Sequence, residues 1–449
     1  MRIYRIITPL LILLIAGAVW SWNRIDDPAS SILFITVDTL NRHHMSIYGY
    51  PLPTTPHLER LARQGIRFNR VYATASWTPP AMATLFYGGL PYDHGVTDWN
   101  TPPSPRVVRR SWVRALRGLG YKAYFFSNHP GLKSPAPLIC RLFDRCEILG
   151  VDDLGLVQRV ASTVRNRKDP GPVLVWVHFI GPHEPFLPRL EIEQLWVANT
   201  ALPSPPAPIC PPPMMFGAGC IPSYLYPIPV PYEYTVERLR ARYDAEIYET
   251  DRAINGLIRR LVRKRKGWVV SVTADHGEII YHPGELDHPP LFFSHGTYLY
   301  DELIHIPWIL YGADIPEKGL RVSSLISQTD IPATVFYLAT GRRPEGWPGR
   351  VLKAAEGWRS GRRWITAWEA RARWTVLVDA QGNVWWYRDG MVYRRSPGPR
   401  PWEAVEPPGW MVGLLHRMGM YLEGLSRVSR VEVSKETRSV LRSLGYVQP

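Results

Sequence analysis

SILFITVD, residues 31–38, is the stretch of sequence that decides the fold. Apart from Asp38 it is uncharged, and such a run is typical of a strand buried on both faces of a parallel sheet. Similar runs recur at residues 123–127, 173–178 and 268–273. Segments with helical periodicity separate them, at residues 56–64, 106–118 and 235–266. This alternation predicts an α/β fold with a doubly wound, mostly parallel central sheet flanked by helices.

Ionisable side chains follow several of the predicted strands. Asp38 ends the first run, His178 ends the third, and Asp275 and His276 follow the fourth. Buried ionisable groups are costly unless they pair or coordinate, and ligands gather at the carboxyl ends of such strands. Carboxylate and imidazole together suit a divalent transition metal. We therefore predict a metal site, although each residue alone could be a helix cap or a structural histidine.

The segment ATASWTPPAMATLFYG, residues 73–88, supplies a candidate nucleophile. Thr78 precedes two prolines and a helix-like pattern, and the start of a helix favours negative charge. A hydroxyl there could be activated by the metal, so Thr78 is predicted as both nucleophile and ligand. His183 of PHEPF and His295 of FFSHG could supply protons or hold an anionic group.

The N-terminus predicts a location outside the cytoplasm. Two arginines precede an uncharged apolar stretch of 17 residues, 6–22. As a helix it would rise about 25 Å, slightly less than the ~30 Å of a bilayer core. Residues 1–24 are thus expected to be a signal peptide or an N-terminal membrane anchor, which leaves the remainder extracytoplasmic, either anchored or secreted.

The cysteines agree with an oxidising compartment. Cys140 and Cys146 are close in sequence, as are Cys210 and Cys220, and neither pair has zinc-finger spacing. Two local disulfides are the simplest interpretation, with four unpaired thiols as the alternative. Residues 201–232 contain 11 prolines and are expected to form an insertion or lid loop.

The composition limits the class of protein and the kind of partner that this chain can have. A chain of 449 residues with 45% hydrophobic and 20% charged residues is globular. Its net charge of +14 is spread along the sequence, which favours an anionic substrate or membrane contact through the N-terminal segment over nucleic acid. Residues 31–340 are expected to form the catalytic domain, and residues 341–449 a small C-terminal α+β subdomain with antiparallel strands.

The sequence resembles the sulfatase-like branch of the alkaline phosphatase superfamily. The matching motifs occur in order: DTL, YGYPLPTTPHLERLARQGIRFNRVYA, the Thr78 segment, LPYDHGV, GYKAYFFSN, PHEPF, TADHGE, HGTYLYDELIHIPWIL and the terminal LRSLGYV. They cover residues 31–340 and the C-terminal tail. The resemblance implies metal-dependent attack on a phosphate or sulfate ester outside the cytoplasm, on a glycan or a lipid head group.

By the same resemblance, the site residues take roles. Asp38, Asp275 and His276 match metal ligands, Thr78 stands at the nucleophile position, and His183 and His295 stand at substrate positions. Asn128 stands near where many sulfatases place a lysine, and is a further candidate for substrate binding. One divalent ion is implied, with Zn or Mn favoured over Ca or Mg because His276 is among the ligands.

The sequence departs from the formylglycine sulfatases at the nucleophile. Their motif is C/S-x-P-x-R, whereas this chain has Thr78 and, at the arginine position, Met82. Thr cannot become formylglycine, and a Thr nucleophile is similar to the phosphoethanolamine and lipoteichoic-acid transferases of the superfamily. The alternative is a catalytically silent relative with a binding or envelope role. The sequence does not indicate the oligomeric state.

Overall fold

The computed structural model describes residues 30–134, 139–197, 217–218, 236–262, 267–282, 290–312, 315, 317–369, 374–388, 391–396 and 403–405. The strands in this part of the chain are β1 (Ser31–Val37), β2 (Ile66–Tyr72), β3 (Lys122–Ser127), β4 (Arg145–Ile148), β5 (Val173–Phe179), β6 (Gly217–Ala218), β7 (Trp268–Ala274), β8 (Ile279–His282), β9 (Leu291–Ser294), β10 (His305–Gly312), β11 (Leu320–Val322), β12 (Ile326–Ser327), β13 (Trp364–Glu369), β14 (Trp374–Asp379), β15 (Val384–Arg388), β16 (Met391–Arg395) and β17 (Glu403–Ala404).

Ten α-helices lie within the described ranges. They are α1 (Pro56–Ala62), α2 (Thr78–Tyr87), α3 (Pro91–His94), α4 (Pro105–Arg109), α5 (Trp112–Gly118), α6 (Asp153–Arg165), α7 (Leu190–Val197), α8 (Val236–Leu261), α9 (Asp301–Ile304) and α10 (Asp330–Thr340). Short 3₁₀ helices are formed by Arg42–His44, Ser46–Tyr48, Pro130–Lys133, Ile139–Leu142 and Ala354–Glu356.

The largest sheet has the strand order β11-β2-β10-β7-β1-β5-β3-β4, with β12 also paired to β2. Its central strands are parallel, because β1 pairs in parallel with β5 and β7, and β3 with β4 and β5. Strand β10 is antiparallel to both β7 and β2. Strands β13–β17 form a separate antiparallel sheet towards the C-terminus. The predicted fold class is therefore confirmed.

The core of the main sheet anchors the helix that begins at Thr78. Trp176, in β5, is fully buried, and its ring centroid lies 4.6 Å from that of Phe34 in β1. The ring centroid of Phe86, in α2, lies 4.2 Å from that of Trp176. Aromatic contacts of this kind bury large apolar areas, so they hold α2 firmly against the sheet.

The predicted helix at residues 106–118 is instead two helices, α4 and α5, which break before Ser111. The Ser111 hydroxyl donates to the Phe86 carbonyl at 2.8 Å, and the Trp112 indole donates to the Leu85 carbonyl at 2.9 Å. These contacts satisfy carbonyls at the end of α2 and fix the break. The local periodicity is thus overridden by tertiary hydrogen bonds.

One of the two predicted disulfides is confirmed. Cys140 and Cys146 are bridged, with a Cα–Cα distance of 5.3 Å. The N-terminal segment 1–24, the Cys210–Cys220 pair and the terminal LRSLGYV motif lie outside the described residues, as does most of the loop 201–232. Among the helices that are described, none is both long enough and apolar enough to cross a membrane. The domain boundaries remain a prediction.

A buried histidine gives a testable prediction about acid stability. His94 is fully buried at the end of α3, and burial lowers its pKa to about 3. The Val96 amide donates to its Nδ1 at 3.1 Å, a hydrogen bond that protonation would remove. Below the ordinary pKa of 6.5 the unfolded chain binds a proton that the folded chain does not, so stability falls as the pH falls.

We expect His94→Gln to flatten this acid-dependent loss by about 1.4 kcal/mol per pH unit between about pH 6 and pH 4. Glutamine keeps a hydrogen-bonding side chain but does not titrate. Urea unfolding of both chains over a pH series measures the effect. Parallel pH profiles would show that His94 binds its proton in the folded chain as readily as in the unfolded one.

Candidate active site

Two buried carboxylates lie at the carboxyl edge of the main sheet. Asp38 follows β1 and Asp275 follows β7, strands that pair in register up to Val37 and Ala274. The Asp38 amide donates to the Phe179 carbonyl at 2.9 Å, and the Asp275 amide donates to that of Val37 at 3.4 Å. Both side chains are fully buried. The parallel pairing therefore brings together groups that are distant in sequence.

Thr78 lies against this edge as the first residue of α2. Its buried Oγ1 is 3.4 Å from Asp38 Oδ2 and 3.3 Å from His276 Nε2. Pro79 and Pro80 follow it and have no amide hydrogen. The first turn of α2 therefore orients the hydroxyl but cannot offer two of the N–H donors that a helix N-terminus usually presents.

His276 completes a group of four. Its Nδ1 donates to the Gly277 carbonyl at 2.8 Å, so Nε2 is the nitrogen that faces the carboxylates. That atom lies 3.4 Å from Asp38 Oδ1 and 3.6 Å from Asp275 Oδ2. Ligand atoms of Asp38, Asp275 and His276 all lie within 4.8 Å of one another. The structure thus brings the four predicted metal ligands, Thr78 included, to one place.

The chemistry of this group fits a divalent cation. Asp275 Oδ2 is buried and has no hydrogen-bond partner within the described structure. Burial and the neighbouring Asp38 carboxylate raise the pKa of Asp275 to about 6. A cation would satisfy the unpartnered oxygen and offset the repulsion between the carboxylates. Two carboxylates, a hydroxyl and an imidazole suit Zn or Mn.

Two further histidines face Asp38. His129 Nε2 lies 3.2 Å and His178 Nε2 3.5 Å from Asp38 Oδ2. The Gly131 amide donates to His129 Nδ1 at 3.0 Å, while His178 Nδ1 is 2.9 Å from Thr36 Oγ1. Burial alone would raise the pKa of Asp38, but the surrounding imidazoles hold it well below its ordinary value. Asp38 is therefore the electrostatic centre of the site.

Neither histidine was among the site residues predicted from the sequence. His178 ends a predicted strand, but the sequence assigns it no role. His129 lies two residues after β3, which is hydrogen-bonded to β5. The strand-end pattern that marks Asp38 and Asp275 also fits His129, because this residue lies just beyond the end of a parallel strand.

His183 and His295 form a second group of contacting side chains, together with two glutamates. Their ring centroids are 5.2 Å apart. His183 Nδ1 donates to the Glu184 carbonyl at 2.7 Å, and His295 Nδ1 lies 2.8 Å from Glu278 Oε2. Burial opposes protonation of His183, but the carboxylates of Glu184 and Asp38 raise its pKa. Burial lowers the pKa of His295 to about 3. His183 is therefore the better proton donor of the two.

Asn128 and Met82, two other positions named in the sequence analysis, have different surroundings. The Asn128 side chain donates to Asp153 Oδ1 at 2.8 Å and accepts from the Ile180 amide at 2.8 Å. These bonds join the end of β3 to α6 and to the loop after β5, so the structure places the amide outside the group around Thr78. Met82 is fully buried in the apolar core one turn after Thr78, and this position therefore supplies no positive charge.

The chain is similar to known proteins in sequence and in fold. The family model described as Sulfatase matches residues 30–341. Arylsulfatase A from Bos taurus is 38% identical over 76 residues, which are 17% of this chain and 15% of that enzyme. The chain thus matches less than a fifth of the length of this relative.

Solved structures that share the fold include the following two. The phosphonate monoester hydrolase SpPMH from Silicibacter pomeroyi has a TM-score of 0.62 at 17% identity, covering 89% of this chain and 96% of that one. The zinc complex of the C-terminal periplasmic domain of EcEptC from Escherichia coli has a TM-score of 0.50 at 16% identity, covering 72% and 85%. At these identities the likeness extends to the fold.

Proposed function

The chain belongs to the sulfatase family, within the alkaline phosphatase superfamily, and from this premise we propose that it is a metal-dependent hydrolase or transferase of phosphate or sulfate esters. The observation that carries the proposal is the position of the Thr78 hydroxyl. It is buried at the start of a helix, 3.3–3.5 Å from Asp38 and His276, at the edge where the two strand-end carboxylates meet. Thr78 is the proposed nucleophile.

Asp38, Thr78, Asp275 and His276 would hold one divalent cation, with Zn or Mn favoured and Ca or Mg as alternatives. When bound, such an ion supplies Lewis acidity that lowers the pKa of the Thr78 hydroxyl. The chain itself contributes the orientation of that hydroxyl and, through α2, a smaller bias towards negative charge. The buried histidines around Asp38 keep this carboxylate ionised.

The proposed reaction has two displacement steps. In the first, Thr78 Oγ1 forms a bond to phosphorus or sulfur while the bond to the leaving alkoxide oxygen breaks, and the proton of the threonine hydroxyl passes to water. In the second, water or an acceptor alcohol attacks the same centre and the bond to Thr78 breaks. The threonine regains a proton, and the free phosphate, sulfate or transferred ester leaves.

His183 and His295 would act on the transferred group and the leaving oxygen. The raised pKa of His183 suits it to donate a proton to the leaving oxygen. Burial raises the pKa of Glu278 to about 7, and when Glu278 donates its proton to His295 Nδ1 the Nε2–H of His295 would donate to an equatorial oxygen. This role matters because Pro79 and Pro80 remove amide donors from the start of α2, so side chains must stabilise the developing charge.

Thr78 favours phosphoryl over sulfuryl transfer. A threonyl ester has no second hydroxyl on the carbon that bears the ester, so it cannot collapse to a carbonyl and expel the group. The intermediate must be resolved by a second attack at phosphorus or sulfur. Preorganised groups and a cation assist such displacements at phosphate. The proposed substrate is therefore an anionic phospho-ester first and a sulfo-ester second, such as a glycan or a lipid head group.

We also propose that the protein works outside the cytoplasm. The bridge between Cys140 and Cys146 supports this, because structural disulfides persist in oxidising compartments. Residues 31–340 would form the catalytic domain, and residues 341–449 the C-terminal subdomain.

The proposal is tested by assaying the full chain on p-nitrophenyl phosphate, p-nitrophenyl sulfate and a p-nitrophenyl phosphonate monoester. We expect hydrolysis that is fastest on a phosphoryl ester, is lost after chelation and returns with Zn²⁺ or Mn²⁺. Chelated protein restored with Mg²⁺ or Ca²⁺ serves as the control for ion preference. Binding of metal without turnover of any of the three esters would instead support a catalytically silent relative that uses the same fold for binding.

A further inference from the structure

A second group of possible metal ligands shares no residue with the candidate active site. It consists of His43 in the 3₁₀ helix after β1, Asp301 at the start of α9 and His305 at the start of β10. His43 Nε2 lies 2.8 Å, and His305 Nδ1 3.1 Å, from the same atom, Asp301 Oδ2. From this geometry we infer that the 43/301/305 cluster binds a second divalent cation of the Zn²⁺ class.

The proton positions around His305 support a cation. Its Nε2 lies 2.8 Å from the Asn69 carbonyl, which can only accept, so Nε2 bears the proton. In the neutral ring Nδ1 then presents a lone pair to Asp301 Oδ2, and two acceptors face each other at 3.1 Å. A metal ion bound to both atoms would remove this repulsion. The Arg42 guanidinium, 3.5 Å from the same Nδ1, can donate to this lone pair while no ion is bound, and its charge opposes a cation at the cluster.

The geometry requires little adjustment. Tetrahedral Zn²⁺ with bonds of roughly 2.0 Å has ligand atoms roughly 3.3 Å apart. The three ligand atoms already lie within 4.8 Å of one another. The Tyr72 ring stacks on His305 at 4.4 Å and fixes its orientation. The side chains of His43 and Asp301 are 44% and 38% exposed, so an ion can enter and water can serve as the fourth ligand.

The place of the cluster in the fold indicates a structural role. Strand β10 is antiparallel to β7, so His305 lies at the edge of the sheet where the candidate active site is built. The Gly277 amide, next to His276, donates to the Leu303 carbonyl of α9 at 2.7 Å. A cation at the 43/301/305 cluster would join the segment after β1 to the helix that supports the His276 loop.

The test counts zinc in the full chain. After chelation and dialysis against Zn²⁺, mass spectrometry of the metal is expected to give one ion fewer in His43→Ala and in Asp301→Asn than in the unsubstituted chain. Zinc affinity at the cluster should fall by more than about tenfold when one ligand is removed. His57→Ala is the matched control, since His57 lies near Arg60 and outside both sites, and it should lose no ion.

The outcomes separate this inference from the proposed function. Asp38→Asn should lose the ion of the candidate active site but keep the one at the cluster, which is visible with Co²⁺ as a spectroscopic probe. Arg42→Gln should tighten binding at the cluster by about tenfold, because a nearby positive charge is removed. Equal zinc contents in His43→Ala, Asp301→Asn and His57→Ala would overturn the inference, whatever the ester assays show.

Discussion

Thr78→Ala is expected to reduce ester turnover to background, a fall of about 10⁴-fold or more, by analogy with the removal of other covalent nucleophiles. Without the hydroxyl no bond can form between the chain and the transferred group. Asp38, Asp275 and His276 remain, so metal affinity should weaken without disappearing. Steady-state assays on metal-loaded protein measure the first effect, and titration calorimetry with Zn²⁺ measures the second.

Two variants separate loss of chemistry from loss of packing. Thr78→Val keeps the branched shape and should be as inactive as Thr78→Ala, whereas Thr78→Ser keeps the hydroxyl and should retain a measurable fraction of turnover. Quenched reactions of the unsubstituted chain should place a phosphoryl or sulfuryl group on the peptide that contains Thr78. If Thr78→Ala turned over at the original rate, a water molecule would become the preferred attacker.

Buried strands are the part of the fold that the sequence predicts best. The run at residues 31–37 coincides with β1, and the other three predicted strands differ from β3, β5 and β7 by one residue at one end. Strands covered on both faces are selected for apolarity at every position, so local sequence alone marks them. The break between α4 and α5 was missed because it depends on Ser111 and Trp112 reaching carbonyls of a helix some 25 residues earlier in the chain.

In the candidate site, too, local sequence predicts some residues, whereas others depend on contacts that form only in the folded chain. Asp38, Asp275 and His276 follow strands of one sheet, so strand-end logic selects them without any knowledge of contacts. Glu184 and Glu278 were not predicted, because their importance lies in side-chain contacts with His183 and His295 that only the folded chain reveals. Asn128 was selected by position along the motif, which does not specify the direction of its side chain.

Asp38→Asn is expected to be as damaging as loss of the nucleophile, for an electrostatic reason. In the structure Asp38 Oδ2 faces His129 and His178, and Oδ1 faces His276 at 3.4 Å. Asparagine keeps the shape of the side chain but removes its negative charge. That charge holds these imidazoles and would also bind the cation. We expect metal affinity to fall by about 100-fold or more and turnover to fall to background.

The matched control is Asp244→Asn, which removes another buried carboxylate. Asp244 lies 2.7 Å from His44 and accepts from the Tyr50 hydroxyl at 2.7 Å, and it belongs to none of the ligand groups. Weakening these two hydrogen bonds should cost about 1–3 kcal/mol of folding stability while leaving metal affinity unchanged. Calorimetric titration with Zn²⁺ and thermal unfolding, run on both variants, distinguish the two effects. If Asp38→Asn bound metal as tightly as Asp244→Asn, then Asp38 would organise the histidines around it without being a ligand, because its charge would be dispensable for holding the ion.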